Sequence, residues 1–294
     1  MKKTSSNRIK VIAIVGPTAS GKTAYSIELA KNINGEIISA DSRLVYKDLN
    51  IGTAKPSNEE MQGIPHYMIN LVEPTFDYSA GLYKNEAQKI ITDIHSRGKT
   101  PIVVGGTGLY TDILLKGFEL PEIEPDYELR DKLSKLSPDK LYEKLKKIDS
   151  DGANTIEKND KKKLIRALEI VSITGKSLQD ARSISQSEYD VEWIGKNFER
   201  DILYKRINER VDLMIKQGLI NETKNLLSKY GRTYNIINTI GYREIIQYLD
   251  GTTTLEESIE LLKKNTRNYA KRQLTWFRKN SEIKWDVYPD KLKK

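Results

Sequence analysis

One stretch near the start constrains this chain more than any other: Val11-Ile-Ala-Ile-Val15 followed by Gly16-Pro-Thr-Ala-Ser-Gly-Lys-Thr23. Five apolar, mostly β-branched residues read as a buried strand. The next eight fit G-x-x-x-x-G-K-[ST], a loop whose backbone N–H groups point inward, with a lysine for phosphate oxygens and a hydroxyl for Mg²⁺. Residues 22–31 then read as a helix whose N-terminal dipole favours an anion. Strand, loop and helix in that order demand an α/β layer with a phosphate at one edge. They leave open which phosphate is held, and why.

The rest of the composition narrows the setting. At 294 residues, the chain can bury one large core, or one core plus a smaller lobe. It has no cysteine, which excludes disulfides, a cysteine zinc site and thiol catalysis, and fits a reducing cytoplasm. No apolar run is long enough to span a membrane, and the polar first residues, Met1 to Arg8, lack the core of a signal peptide and read as a loose tail. A soluble cytoplasmic protein is expected. The net charge of +8 is unevenly spread: residues 261–294 hold eleven Lys or Arg and three Asp or Glu. A basic end of that kind reads as a nucleic-acid patch, the alternative being a solvated helix followed by a Lys-rich tail.

Along the chain, Glu36 to Ser42 reads as a short strand ending in an acid, residues 51–56 as a loop, and His66 to Val72 as another strand. Residues 79–97 have helical spacing, and Thr100 to Val104 is a strand running into Gly105-Gly106-Thr107-Gly108. Alternating strands and helices with Gly-rich turns indicate a parallel sheet with ligands at the carboxyl ends of its strands. From about Pro121 to Asp190 apolar residues recur only at helical spacing, with starts at Asp126, Ser137 and Asn159-Asp160. The expected fold is therefore α/β: a P-loop NTPase-like parallel sheet flanked by helices, over residues 1–118 and 191–294, with an inserted all-helical lobe at 119–190 and a helical C-terminal part. Val191 to Ile194 reads as the strand that returns to the core. Leu203, Ile207, Val211 and Met214 make one apolar stripe, with Arg206 and Arg210 four residues apart on a neighbouring face and able to converge on one anion. A short helix opens near Ile240, and the last long helix covers 255–279, with Leu262, Tyr269 and Trp276 facing one way and Lys264, Arg267, Lys271 and Arg278 forming a basic stripe.

A phosphate loop alone points to a nucleotide kinase or NTPase, in which the loop hydroxyl and an acid at a neighbouring strand end hold Mg²⁺. Asp41 occupies such a strand end and reads, taken alone, as a metal ligand, a general base or a cap for the following turn; its coincidence with the loop argues for function. His66 and His95, the two histidines, have no serine or acid in any catalytic spacing and read as structural. Tyr269 and Trp276 beside basic residues suit base stacking, but at helical spacing they also suit a core.

The ordered series Gly16–Thr23, Ser39-Ala-Asp-Ser42, Asp48 to Pro56, Ile64-Pro-His66, Tyr78-Ser79, Gly105 to Tyr110, Asn159-Asp160 with Arg166 to Glu169, Thr174-Gly-Lys176, Arg206-Ile-x-x-Arg210, Ile240-Gly-Tyr242 and Thr266 to Trp276 resembles the tRNA dimethylallyltransferase family. The likeness covers roughly residues 10–280. It implies transfer of a dimethylallyl group from dimethylallyl diphosphate to N6 of the tRNA adenosine just 3′ of the anticodon. It implies, too, that the loop (Gly16, Thr18, Ala19, Ser20, Gly21, Lys22 and Thr23) holds a diphosphate leaving group, with Mg²⁺ on Thr23 and with Arg210 matching the family's diphosphate arginine. By the same resemblance Asp41 is the general base on the amine, Thr107 contacts the target nucleotide, and Ser42, Arg43 and Leu44 follow the base into the substrate channel. To reach N6 the adenine must leave the anticodon-loop stack. The resemblance assigns tRNA phosphate contacts to Arg130, Lys162, Lys163, Arg166, Arg243, Arg267 and Lys271.

The chain departs from the pattern at Leu44, where glutamine is common, at Tyr67, where a second histidine is common, and at Asn70, where an aspartate is common. The zinc finger of eukaryotic members is absent, which points to the bacterial type, expected to act as a monomer. Three alternatives remain on the sequence: an isopentenyltransferase acting on free adenine nucleotides, a small-molecule kinase, and an RNA-binding module with a regulatory nucleotide site. The helical lobe and basic last helix favour a tRNA partner over the first, and Asp41 beside Lys22, Thr23 and Arg210 disfavours the last.

Overall fold

The structure, a computed structural model, describes residues 8–118, 121, 123–181 and 187–288. They fall into two compact units, one running to Leu115 and resuming at Glu188, the other spanning Lys116–Ser187. The expected tail at Met1 to Asn7 lies outside the described residues, as do residues 289–294 of the basic end.

In the first unit β1 (Ile9–Val15) leads through the Gly-rich loop into α1 (Lys22–Ile33), then β2 (Gly35–Ser39), α2 (Asn58–Met61), β3 (His66–Tyr67), α3 (Ala80–Ser96), β4 (Thr100–Gly105) and α4 (Gly108–Leu115). The strands order as β3-β2-β4-β1 and continue through β5 (Tyr189–Phe198) to β6 (Lys284–Tyr288), all parallel. Because every strand points the same way, the residues following β1, β2, β4 and β5 all emerge at one edge. β4 lies between β1 and β2, so the Gly105–Thr107 turn sits between the Gly-rich loop and Asp41. Apolar residues of β1, β2, β4 and α1 (Ile14, Ile37, Ile102, Ile27, Ala30) bury that layer. This is the α/β parallel sheet with flanking helices that the alternation of elements indicates.

Two strand limits differ from expectation. The segment 66–72 is a strand only at His66–Tyr67, because Met68 and Asn70 adopt left-handed φ of 64° and 57°, which no extended ladder accommodates. The chain then turns back on Leu44 and Val45, whose carbonyls receive the N–H groups of Asn70, Leu71 and Val72. The strand at 36–42 stops at Ser39, which leaves Asp41 beyond the ladder, in the turn that follows.

The inserted unit is helical: α5 (Tyr127–Ser134), α6 (Pro138–Ile148), α7 (Ser150–Asn154) and α8 (Lys161–Thr174), with Asp126, Ser137, Asp149 and Asp160 each accepting an N–H in the first turn. Its core includes Leu133, Leu141, Leu145, Leu164 and Leu168. Back in the first unit come α9 (Arg200–Lys216), α10 (Leu219–Tyr230), α11 (Tyr234–Ile237), α12 (Tyr242–Leu249) and α13 (Leu255–Phe277). Their apolar faces, Val211, Leu226, Ile245 and Leu262 among them, bury Val45, Tyr46 and Leu49 of the segment after Asp41. α13 begins with a capping box between Thr254 and Glu257. β6 occupies part of what composition alone reads as a Lys-rich tail; the period-two run Lys284-Trp-Asp-Val-Tyr288 pairs with β5. No described helix is long and apolar enough to cross a membrane.

Candidate active site

The Gly-rich loop needs its glycines for stated steric reasons. Gly16 has φ +146°, and a Cβ there would stand 2.1 Å from the Lys196 carbonyl oxygen on β5. Gly21 has φ +82° and forms the N-cap of α1. Ala19 is left-handed as well, at 63°. Its carbonyl accepts Arg206 Nε at 3.0 Å, and the Arg206 guanidinium lies 4.4 Å from the Phe198 ring centroid. Arg206 thus holds the loop itself, while Arg210, one turn on, is half-buried. Burial, then the neighbouring charge of Arg206, pushes the Arg210 guanidinium below its usual range.

Lys22 closes over the loop. Its ammonium donates to the Pro17 carbonyl at 2.5 Å and to Ser20 Oγ at 3.5 Å. Burial and the charge of Arg210 lower its pKa to about 7, against an upward pull from Asp41. Lys22, Arg210 and Asp41 therefore share one field. Two cations held near one carboxylate leave the site net positive, a field that favours an anion.

The other side of the site is built from the turns after β2 and β4. Gly105 permits their contact, since a Cβ there would stand 2.1 Å from the Ala40 carbonyl. Thr107 N–H donates to that carbonyl at 3.2 Å, and Thr107 Oγ1 accepts the Ser42 N–H at 3.1 Å. One Asp41 oxygen accepts the Arg43 N–H at 2.8 Å, so the capping role is present, while the second oxygen takes no bond from that turn. Arg43 reaches Asn235 Oδ1 at 3.4 Å. The Asn235 amide in turn donates to the Pro74 and Phe76 carbonyls. Leu44 is half-buried, and its carbonyl receives Asn70. The Tyr269 hydroxyl of α13 lies against Thr107, and burial together with the charge of Asp41 holds that hydroxyl protonated.

The structure gives several of the proposed phosphate-contacting residues protein partners. In the inserted unit Arg130 pairs with buried Glu169 through two bonds of 2.8 Å, and Arg166 pairs with the same carboxylate. Lys163 is 2.6 Å from Asp160, and Lys162 is exposed. In the first unit Arg243 is held by buried Glu244 at 2.7 Å and Arg267 by Asn208 at 2.6 Å. Lys264 and Lys271 are exposed on α13, and so is Arg278 at its C-cap. The apolar line of the same helix is only partly core: Leu262 is buried, whereas Trp276 is 41% exposed and donates to Asp112 at 2.9 Å.

Magnesium takes few protein ligands, keeps waters and draws its other oxygens from phosphate. Thr23, in the first turn of α1, is exposed, and its hydroxyl has no hydrogen-bond partner among the described residues. No group of three His, Cys, Asp or Glu side chains gathers to hold a metal among those residues. The donor set fits a magnesium ion that arrives with a phosphate ligand.

Sequence reasoning did not single out two residues. Gln273 on α13 is buried and bonded to both active-site loops, accepting Thr18 N–H at 2.9 Å and donating to the Gly106 carbonyl at 2.9 Å. Its signal was a polar residue four positions after Tyr269 on the inward face of an amphipathic helix. Glu222 receives the N–H groups of Ile51 and Gly52 and the Tyr242 hydroxyl, fixing the 51–56 loop. Nothing in local periodicity connects Glu222 with a loop some 170 residues away.

Residues 44–280 match the family model described as IPP transferase. The chain is 47% identical to a tRNA dimethylallyltransferase of Caldanaerobacter subterraneus subsp. tengcongensis, covering 96% of this chain and 93% of that one. It is 46% identical to the tRNA dimethylallyltransferase of Halalkalibacterium halodurans, with 94% and 90% covered. Among solved structures it is similar to a full-length tRNA isopentenylpyrophosphate transferase from Bacillus halodurans, at TM-score 0.73, 45% identity, and coverage of 96% and 90%. It is likewise similar to a eukaryotic dimethylallyltransferase acting on tRNA, at TM-score 0.84, 34% identity, and coverage of 96% and 74%.

Proposed function

The chain belongs to the IPP transferase family, and from that premise we propose that it moves a dimethylallyl group from dimethylallyl diphosphate to N6 of the tRNA adenosine just 3′ of the anticodon. The observation that carries this reading is the placement of a carboxylate, Asp41, in the same field as Lys22 and Arg210 at one edge of the sheet. On this reading Lys22, Arg210 and the Gly-rich loop serve the diphosphate, and Asp41 with the Thr107 turn serves the nucleotide.

Lys22, Arg210 and loop amides other than that of Thr18, which is bonded to Gln273, hold the diphosphate. As the allylic C–O bond breaks, its electron pair leaves with the diphosphate, and these groups stabilise the growing charge. Thr23 would hold a Mg²⁺ ion, which would supply charge neutralisation at the leaving group. The adenine N6 forms the new C–N bond, and its proton passes to Asp41. The Arg43 N–H bond leaves the other Asp41 oxygen for that proton. Thr107, held by Ser42 and Tyr269, contacts the adenosine. Arg43, Leu44, Arg243, Arg267, Lys271 and, in the inserted unit, Arg130, Lys162, Lys163 and Arg166 contribute tRNA contacts. Where Glu169 and Glu244 already neutralise a guanidinium, that contribution is orientation more than net charge.

The test compares acceptors. Protein incubated with radiolabelled dimethylallyl diphosphate and, in parallel, unmodified tRNA, AMP or ATP is expected to label tRNA alone. Label on AMP or ATP in preference to tRNA identifies a free-nucleotide isopentenyltransferase instead.

A further inference from the structure

The Gln273 side chain bonds both loops of the candidate site. Its carboxamide oxygen accepts Thr18 N–H of the diphosphate loop at 2.9 Å, and its amide nitrogen donates to the Gly106 carbonyl, next to Thr107, at 2.9 Å. The group is 5% exposed, so the two bonds form without competition from bulk water. An N–H on one side and a carbonyl on the other admit one amide orientation only. The fit is tight as well, because a Cβ at Gly106 would stand 2.1 Å from Gln273 Nε2. One turn earlier on α13, Tyr269 lies against Thr107. One turn later, Trp276 packs on Gly108, where a Cβ would stand 2.2 Å from its ring. The inward face of α13 therefore holds the acceptor turn at three successive points and the donor loop at one.

We propose that Gln273 is a positioning residue that sets the spacing between the diphosphate loop and the Thr107 turn, and so between the two reacting atoms. This role rests on the activity proposed above. Both polar ends of Gln273 are taken by Thr18 N–H and Gly106 C=O, and it acts through them. Transfer between two bound molecules is steep in distance, so a displacement of about 1 Å costs roughly a hundredfold in rate with little effect on either affinity. Gln273→Met keeps the length and removes both bonds. Gln273→Glu keeps an acceptor for Thr18 but sets a carboxylate oxygen against the Gly106 carbonyl.

Single-turnover transfer from radiolabelled dimethylallyl diphosphate to saturating unmodified tRNA reads the rate constant of the bound complex, independent of the fraction of protein that is folded. Both variants are expected to lose roughly tenfold to a hundredfold in that constant, while affinities for inorganic diphosphate and for unmodified tRNA stay within about threefold of wild type. A rate constant within about twofold of wild type in both variants overturns the spacing role, as does a loss of rate matched by an equal loss of either affinity. Wild-type protein alongside separates the two claims. Transfer by wild type with unchanged variants overturns the spacing role alone, and no transfer by wild type overturns the activity and the spacing role with it.

Discussion

The Thr107 hydroxyl accepts the Ser42 backbone N–H at 3.1 Å, tying the turn after β4 to the residue that follows Asp41. The carboxylate and the hydroxyl assigned to the acceptor nucleotide are thus parts of one rigid corner, set by strand order and not by sequence proximity. Asp41→Asn keeps the shape and the acceptor for Arg43 but cannot take a proton. It is expected to lower kcat by roughly a hundredfold or more while tRNA affinity holds. Steady-state kinetics with a filter-binding measurement checks this, and near-normal turnover removes the general-base role from Asp41.

Lys22 gives the site a pH signature. In the free protein its pKa is about 7, below the usual 10.5. A bound diphosphate favours the ammonium and raises that value, so binding takes up a proton at pH above 7, and affinity falls as pH rises from there. The same group binds fewer protons folded than unfolded in this interval, so its contribution to stability grows with pH. Calorimetry of diphosphate binding in buffers of different ionisation enthalpy measures the uptake; a binding enthalpy independent of buffer at pH 8 contradicts it.

The cations of α13 predict a salt effect. Binding of unmodified tRNA is expected to weaken steeply with salt, and replacing Lys264, Arg267 and Lys271 with neutral residues is expected to lower the log–log slope by about 2. Arg267 is anchored on Asn208, so its share is positional as much as electrostatic. An unchanged slope makes the stripe a solvated face.

Glu36, at the start of β2, governs acid stability. Its buried carboxylate meets both Arg97 terminal nitrogens at 2.7 and 2.6 Å, Lys99 at 2.5 Å and the Tyr67 hydroxyl at 2.9 Å. The Arg97 bonds, helped by Lys99 and Tyr67 against the opposing effect of burial, lower its pKa to about 2 from 4.5. A carboxyl held down in the folded state stabilises above its unfolded pKa, and that stabilisation is lost as pH falls from about 4.5 to about 2. Glu36→Gln is expected to lower Tm at pH 7 by on the order of 5 °C and to flatten the acid limb of a Tm–pH curve. An acid limb identical to wild type's excludes Glu36 as its source. Tyr67, a departure from the family pattern, is explained here: its hydroxyl belongs to this cluster.

Much of the fold was legible because it follows local rules. The β1–loop–α1 unit, the helix starts at Asp126, Ser137 and Asp160, and the limits of α3 and α9 come from periodicity and capping alone. β3 is shorter than its apolar run implies, because Met68 and Asn70 after it are left-handed; Asn70 is a residue type that tolerates that conformation, but Met68 carries no such mark. β6 was missed, because a lysine-rich composition hid a period-two run. At the site, Lys22 and Asp41 stand out by motif and strand end. Gln273 and Glu222 do not, since backbone partners of theirs lie 255 and 170 residues away and only tertiary packing brings them together.

The central claim is that the Gly-rich loop holds a diphosphate leaving group and not the phosphates of a hydrolysed nucleotide. The most direct measurement is mass analysis of nucleosides from unmodified tRNA after incubation with the protein, Mg²⁺ and dimethylallyl diphosphate, with released inorganic diphosphate counted in parallel. The expected result is one C5H8 unit on the adenosine 3′ to the anticodon for each diphosphate released. Unmodified adenosine, with ATP split to ADP and phosphate when ATP is supplied instead, would contradict it.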